Sequence, residues 1–186
     1  MNKSTIIIDF SPRNAGNCSK IGEFIKDFHK RTNVRSYKIT AENYLPCHGC
    51  DYECLRQGQS CPAVTDYQTD VMDAICSADT VYMIVPNFCG YPNGNFFAFN
   101  ERSVGYFGGD RSKLDQYMSV PKKFIIVSNT ESEQFRNAMK QQTSAEPEIL
   151  YLKSGKYQKR SIAGDILESA EARADLEAFL ASETHA

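Results

Sequence analysis

The sequence predicts an α/β fold in which a parallel sheet lies between two layers of helices. Three observations lead there. Four short apolar runs, at 6–8, 81–85, 124–127 and 149–152, are continuous rather than alternating, the pattern of strands buried on both faces. Helical periodicity lies between those runs, so strands and helices alternate as in a doubly wound sheet. The first run, Thr5 to Phe10, passes at once into a polar loop and then an amphipathic helix. That junction gathers unpaired backbone N–H groups and the positive end of a helix dipole, which together suit a phosphate.

The elements follow in order. After the first strand, Ile21, Phe24, Ile25 and Phe28 repeat at i, i+3, i+4, i+7 and define a helix beginning near Ser19. Val34 to Ile39 is a weaker second strand, and Tyr67, Val71, Ala74 and Ile75 mark the second helix. Val81–Val85 is the third strand. Segment 90–122 is rich in Phe, Tyr, Gly and Asn, and is read as one helix near 94–103 followed by a loop over the site. Phe124–Val127 is the fourth strand. Residues 131–142 form a weaker helix with Phe135 and Met139 inward, and Glu131 at its start suits the dipole. Ile149–Leu152 is the fifth strand. A polar loop at 153–165 carries Lys153, Lys156, Lys159 and Arg160, read as a solvated loop or as an attractor for an extra phosphate. The last helix, about 166–181, buries Ile166, Ala170, Leu176, Phe179 and Leu180. No repeat or composition shift divides the chain, so residues 1–186 are read as one domain. Ligands of such sheets bind beyond the carboxyl ends of the strands, which directs attention to the loops after strands 1, 3 and 4.

Composition narrows the function. The chain has 186 residues, 41% of them hydrophobic and 24% charged, with a formal net charge of -2. That balance argues against nucleic acid as the main partner. No apolar run approaches the roughly 20 residues that span a bilayer. Met1-Asn-Lys-Ser-Thr runs directly into a strand, so no signal peptide and a cytoplasmic location are expected. Four of the seven cysteines crowd between positions 47 and 61, which favours reduced thiols, a metal or a cluster over structural disulfides.

The loop Ser11-Pro-Arg-Asn-Ala-Gly-Asn-Cys-Ser19 lacks both the dinucleotide Gly-x-Gly-x-x-Gly and the Gly-Lys-Ser/Thr of nucleotide hydrolases. Ser11 offers a hydroxyl, Arg13 a fork of donors, and Asn17, Cys18 and Ser19 their backbone N–H groups. The competing reading is an ordinary connection with Ser19 or Asn17 as N-cap. Cys18 is either a small loop residue or, through its place at a helix start, a thiol of lowered pKa. Pro86-Asn-Phe-Cys-Gly90 follows the third strand, either as a tight turn with Phe88 in the core or as a ligand loop. Cys47, Cys50, Cys54 and Cys61 have the spacing C-x2-C-x3-C-x6-C. They can hold an iron–sulfur cluster or zinc, or remain unligated thiols. Cys76 is read as a core residue, His29 as solvated, His48 as a ligand or a solvent-facing group, and His185 as part of the tail. No nucleophile elbow supports hydrolysis.

The Ser11–Ser19 loop resembles the FMN phosphate loop of flavodoxin-like NAD(P)H-dependent FMN reductases, with Cys18 where Thr is usual. Pro86–Gly90 is similar to that family's Pro-x-Tyr-Trp-Gly, with Phe88 in the aromatic place and Cys89 for Trp. Asn95-Phe-Phe-Ala-Phe-Asn-Glu-Arg102 resembles the helix ending Lys-Ala-Phe-Ile-Asp-Arg, and the likeness continues through Phe124–Asn129 and Ala172–Phe179. The resemblance covers nearly the whole chain. It implies a flavodoxin-like three-layer sandwich with a five-stranded parallel sheet in the order 2-1-3-4-5. It implies FMN held non-covalently by Ser11, Arg13, Asn17, Cys18 and Ser19 at the phosphate. Pro86, Asn87, Phe88, Cys89 and Gly90 would lie at the ring, with Ser128 and Asn129 at its edge. NAD(P)H would be the electron donor, and a quinone, flavin, azo compound or protein the acceptor. FMN would carry the chemistry, so no catalytic side chain is required. A homodimer or homotetramer is implied, with segment 91–107 as a contact. An iron–sulfur branch of the family carries four cysteines in the loop after strand 2, which implies a [4Fe–4S] cluster on Cys47, Cys50, Cys54 and Cys61 and one-electron transfer. A third reading, of another class, is a non-catalytic flavodoxin-like binding protein that has lost FMN.

Overall fold

The computed structural model describes residues 3–30, 33–47, 50–56, 59, 61–63 and 65–182. His48 and His185, singled out above, lie outside them. The elements in order are β1 (Thr5–Asp9), α1 (Asn17–Phe28), β2 (Val34–Lys38), α2 (Asp66–Cys76), β3 (Thr80–Phe88), β4 (Tyr91–Pro92), α3 (Gly94–Phe107), α4 (Arg111–Ser119), β5 (Lys122–Ser128), α5 (Glu133–Lys140), β6 (Glu148–Lys153) and α6 (Ala170–Ala181).

The main sheet has the order β2-β1-β3-β5-β6, and every pairing along it is parallel. This is the expected 2-1-3-4-5 arrangement once the two-residue β4, which pairs antiparallel with β3, is set aside. All five residues of β1 and all seven of β5 are buried, as their unbroken apolar runs require. Alternate residues feed two cores. Ile6, Ile8, Val81, Met83, Val85, Phe124 and Ile126 face α2, α3 and α5. Ile7, Tyr82, Ile84, Ile125 and Val127 face α1 and α6. Each fully buried aliphatic side chain contributes roughly 1.5–3 kcal/mol, so the central strands carry most of the stabilisation. The edge strands β2 and β6 stay partly exposed and carry Arg35, Lys38, Glu148 and Lys153, charges that discourage pairing with another chain.

Four expectations change. Segment 104–122 is not a loop: α3 runs on to Phe107, stops at Gly108 in the left-handed region, and α4 follows. Asp110 caps α4 by accepting from the N–H groups of Ser112 and Lys113, a signal of the Asp-x-x type that the aromatic composition of the segment masked. The last helix is preceded by a separate single turn, Ile166–Glu168, and starts at Ala170 behind its N-cap Ser169. Glu131 does not open α5, whose N-cap is Ser132; it pairs with Lys153 at 2.7 Å. His29 is half-buried at the end of α1, with Nε2 3.2 Å from Tyr82 Oη. Burial first, and the nearby Lys123 charge second, hold its pKa below the ordinary value.

Two adjacent lysines join the layers. Lys122 and Lys123 open β5 and, although charged, are only 4% and 1% exposed. On one face Lys122 Nζ donates to the carbonyls of Tyr117 and Val120 and lies 4.2 Å from the centre of the Tyr117 ring. On the other, Lys123 Nζ donates to the carbonyls of Phe179 (2.9 Å) and Ser182 (2.6 Å) and approaches Glu148 at 3.6 Å. Each ammonium thus satisfies the last carbonyls of a helix, α4 or α6, where the dipole favours a cation. Burial pulls the Lys122 pKa from 10.5 down to about 7, with Cys76 opposing the shift. Between those two values the unfolded chain binds the proton and the folded protein does not, so this group makes stability rise with pH across that window. Comparison of wild type with Lys122→Met by denaturant unfolding at pH 7 and pH 9 is therefore expected to show the difference moving in favour of the wild type at the higher pH. The limit is about 1.4 kcal/mol per pH unit. A pH-independent difference would mean that Lys122 keeps its proton throughout.

Candidate functional site

The site begins at Asp9, the last residue of β1. Its side chain is 11% exposed and organises everything that follows. Oδ1 accepts from the Ser11 N–H at 2.8 Å, turning the chain out of the strand. Oδ2 accepts from Ser19 Oγ at 2.9 Å and from Lys38 Nζ at 2.8 Å. Lys38 sits directly beside Asp9 in the β1–β2 register and also donates to the Arg13 carbonyl at 2.9 Å. One carboxylate therefore ties both ends of the Ser11–Ser19 loop to the sheet.

The loop delivers its donors at the start of α1. The N-cap is Gly16, with no side-chain cap and no acidic residue in the first turn. The reading of Ser19 or Asn17 as N-cap is thus replaced by an open helix end. The first helical bond runs from Lys20 N–H to the Gly16 carbonyl, which leaves the N–H groups of Asn17, Cys18 and Ser19 for another acceptor. Ser11 is buried, and its Oγ accepts from the Arg13 N–H at 3.2 Å. Arg13 is exposed and donates through Nη1 to the Ile162 carbonyl at 2.7 Å. Asn17 spends its carboxamide on the protein: Nδ2 donates to the Ser161 carbonyl at 2.8 Å and Oδ1 accepts from the Ile166 N–H at 3.0 Å. Cys18 is buried against Ser11, and desolvation, followed by the charge of Asp9, drives its thiol pKa upward. A lowered pKa at this helix start is therefore overturned: burial outweighs the dipole.

The loop at 154–165 closes against this junction. Gly164 has φ +76°, and a Cβ there would lie 3.2 Å from the Ala15 carbonyl oxygen. Lys20 Nζ donates to the Gly164 carbonyl. The basic run does not present a free cationic patch. Lys153 pairs with Glu131 at 2.7 Å, Lys156 with Asp175 at 2.5 Å, and Lys159 with Glu168 at 3.0 Å. Among these four cations, Arg160 has no recorded ion pair among the described residues.

Beyond the carboxyl ends of β3 and β5 lies an open cleft of about 400 Å³. Asn87, Cys89 and Gly90 line one side, Val127, Ser128, Asn129 and Thr130 the other, and Ser161 reaches in from the loop that Asn17 holds. Five of the seven residues expected at a ring or its edge thus meet in one space; Pro86 and Phe88 are not among its lining. Cys89 (φ +53°) and Gly90 (φ +87°) form the two-residue turn of the β3–β4 hairpin, both in the left-handed region, a geometry that matches the right-handed twist of the strands. Phe88 precedes that turn and is 56% exposed, so it is not a core residue. Asn87 fixes the turn: Oδ1 accepts from the Gly90 N–H at 2.8 Å and Nδ2 donates to Ser128 Oγ. Ser128 Oγ in turn accepts from the Thr130 N–H at 3.0 Å, and Ser154 Oγ donates to Asn129 Oδ1.

Asp9, Lys38, Ser161 and Gly164 were not singled out from the sequence. Asp9 carried a signal, as a lone carboxylate closing an Ile-Ile-Ile run. Ser161 carried none, because its role arises only when the loop folds back 144 positions to Asn17.

The cysteine loop lies elsewhere, between β2 and α2. All seven cysteines are free. Cys47 is exposed, while Cys54 and Cys61 are buried. Burial, then the proximity of Cys61, Cys50 and Cys47, raises the Cys54 thiol pKa, so the four share one neighbourhood. Among the described residues, however, no three His, Cys, Asp or Glu side chains are arranged to hold a metal ion. Cys76 is half-buried in α2 and packs against the core.

No protein-family model matches the chain, and no curated protein matches its sequence. Solved structures do match its fold. The Trp repressor binding protein of Bacillus subtilis superposes with a TM-score of 0.61 at 13% identity, covering 97% of this chain and 100% of that one. A flavoenzyme NAD(P)H:(acceptor) oxidoreductase from Paracoccus denitrificans gives 0.58 at 13%, covering 96% and 95%. A putative quinone reductase from Klebsiella pneumoniae gives 0.60 at 13%, covering 96% and 83%. At these identities the likeness establishes the fold, which is flavodoxin-like.

Removing the Asp9 charge should loosen the loop. Asp9→Asn leaves the Lys38 ammonium and the Ser19 hydroxyl without their shared acceptor. Breaking a fully buried pair costs about 3–5 kcal/mol, and the 27% exposure of Lys38 lowers the expectation to about 2 kcal/mol. Urea unfolding measures it; a loss under about 0.5 kcal/mol would show that the loop holds its shape without the carboxylate.

Proposed function

We propose that this protein binds FMN non-covalently and acts as an NAD(P)H-dependent oxidoreductase that passes electrons to a small-molecule or protein acceptor. The observation that carries this reading is the juxtaposition, through Asn17 and Ser161, of an uncapped helix start with a 400 Å³ cleft at the strand ends. A cleft of that size lies within the range that takes a cofactor. The open N–H groups of Asn17, Cys18 and Ser19, with the Ser11 hydroxyl and the Arg13 guanidinium, suit a phosphate ester. The polar walls of the cleft, from Asn87, Ser128, Asn129 and Thr130, suit the edge of a flat heterocycle, and the backbone at Gly90 allows close approach. The flavoenzyme and reductase neighbours of the same fold support the oxidoreductase class.

When bound, FMN would supply hydride and electron transfer. The task of the chain is then to hold, orient and shield. The helix start and Arg13 anchor the phosphate, the Asn87–Ser128 pair sets the cleft wall, and the β3–β4 hairpin limits access on one side. No thiol of the loop is needed as a nucleophile, since Cys18 is kept protonated by burial. We further propose a homodimer. Tyr91, Phe97 and Val104, at 50%, 43% and 45% exposed, supply an apolar surface in the segment expected to form the contact.

Absorption and fluorescence titration with FMN and with riboflavin tests the cofactor. FMN is expected to bind at least about tenfold more tightly, a difference of about 1.4 kcal/mol, and Arg13→Ala is expected to reduce that preference while leaving riboflavin unchanged. Equal binding of the two would remove the phosphate site, and binding of neither would remove the function. For the assembly, light scattering is expected to return twice the 20.9 kDa chain mass; a monomer across the working concentration range would exclude the dimer.

A further inference from the structure

A second pocket, walled partly by the apolar side chains of Leu45, Pro46 and Ala63, lies away from the cleft between the end of β2 and the start of α2. It is a largely enclosed space of about 100 Å³ whose lining includes Asn43, Tyr44, Thr65, Gln68 and Arg102, with the exposed Glu42 at its rim. Three of these side chains are nearly inaccessible: Tyr44 is 3%, Gln68 2% and Arg102 4% exposed.

Among the described residues Arg102 makes no ion pair, although the carboxylate of Glu42 stands at the rim of the same pocket. Arg102, on the last turns of α3, donates to the Ala63 carbonyl, to Gln68 Oε1 at 3.1 Å and to Cys61 Sγ at 3.4 Å. No carboxylate pairs with it among the described residues. A guanidinium has five N–H donors, and these contacts engage three. Burying a cation without a counter-charge is costly, and the cost is normally met by an anion. Gln68 does not supply one: Nε2 donates to the Arg102 carbonyl at 2.7 Å, which fixes Oε1 toward the guanidinium as a neutral acceptor. Tyr44 provides the second, independent sign. Its Oη is buried and makes no well-formed hydrogen bond among the described residues, with the Gln68 carboxamide close by, although buried tyrosine hydroxyls are normally satisfied. An unspent cation and an unspent hydroxyl donor therefore line one enclosed space.

We propose that this pocket binds a small planar oxyanion, a carboxylate or bicarbonate of about three to four heavy atoms. Its oxygens would accept from the free Arg102 N–H groups and from the Tyr44 hydroxyl. The volume, worth about three water molecules, admits formate, bicarbonate or acetate and excludes citrate. Thr65, the N-cap of α2, accepts from the Gln68 N–H at 3.1 Å, so a bound anion would fasten the β2–α2 connection to the starts of α2 and the end of α3 together. The site stands apart from the cleft and does not depend on the cofactor assignment.

The test is thermal unfolding of the full chain while sodium formate replaces sodium chloride at constant ionic strength, repeated with acetate and with citrate. Formate and acetate are expected to raise the melting temperature saturably, by about 2–4 °C, and citrate is not. Tyr44→Phe removes only an unpartnered hydroxyl, so without formate its stability should match or exceed wild type, while its formate affinity should fall about tenfold. Gln68→Glu places a carboxylate against Arg102 and should abolish the formate response in a chain whose circular dichroism is unchanged. Absence of any saturable formate effect in the wild type would overturn the proposal. So would an unchanged formate affinity in Tyr44→Phe.

Discussion

The candidate site depends on one buried carboxylate at the end of β1. Asp9 holds Ser11 at the exit of the strand, Ser19 in the first turn of α1, and Lys38 on the neighbouring strand. Without a fixed acceptor there, the loop of polar and small residues between them would have to be ordered by contacts it does not possess, at roughly 1–2 kcal/mol of backbone entropy per residue. Asp9 also explains why α1 has no cap. Ser19 directs its hydroxyl back to the carboxylate and to the Arg13 carbonyl instead of toward the helix start, and Asn17 is committed to the 161–166 segment. The backbone donors of the first turn are left open at the helix start.

The same economy governs the opposite end of the sheet. Lys122 and Lys123, consecutive in sequence, point to opposite faces because side chains alternate along a strand. Each closes a helix C-terminus in a different layer. The strand that carries Ser128 and Asn129 into the cleft is thereby pinned at its start to α4 on one side and α6 on the other. Rigidity at that end supports a site at the other, since β5 is buried along its whole length.

The charges of the molecule are largely spoken for internally. The lysines at 153, 156 and 159 looked like a cationic loop, yet each meets an acid supplied from elsewhere in the fold. Arg102 is the contrast: it is buried, and among the described residues its hydrogen bonds go to neutral acceptors and a thiol. Partnered cations make poor evidence for a ligand, and an unpartnered buried one makes good evidence, because solvent cannot screen it.

Much of the fold was legible. The continuous runs at Ile6–Ile8, Val81–Val85 and Phe124–Val127 specified buried parallel strands, since only a sheet covered on both faces tolerates them. The strand–loop–helix junction at Ser11–Ser19 was legible for a similar reason: the strand, the turn and the helix that succeed one another there follow from local order. The tertiary structure decided the rest. The aromatic segment hid α4, because a capping Asp110 weighs little against composition read in a window. The burial of Cys18 favours the reading as a small loop residue over that as a thiol of lowered pKa, because desolvation is a property of packing and cannot be read from a helix position. The cysteine spacing left a cluster, zinc or unligated thiols open, because whether four thiols converge depends on loop conformation rather than on count. The cleft itself, with Asn87 on Ser128 and Ser161 on Asn17, joins residues 41 and 144 positions apart. Local sequence determined the strands and the open helix start; which distant side chains face each other was settled only when the sheet and its return loop closed.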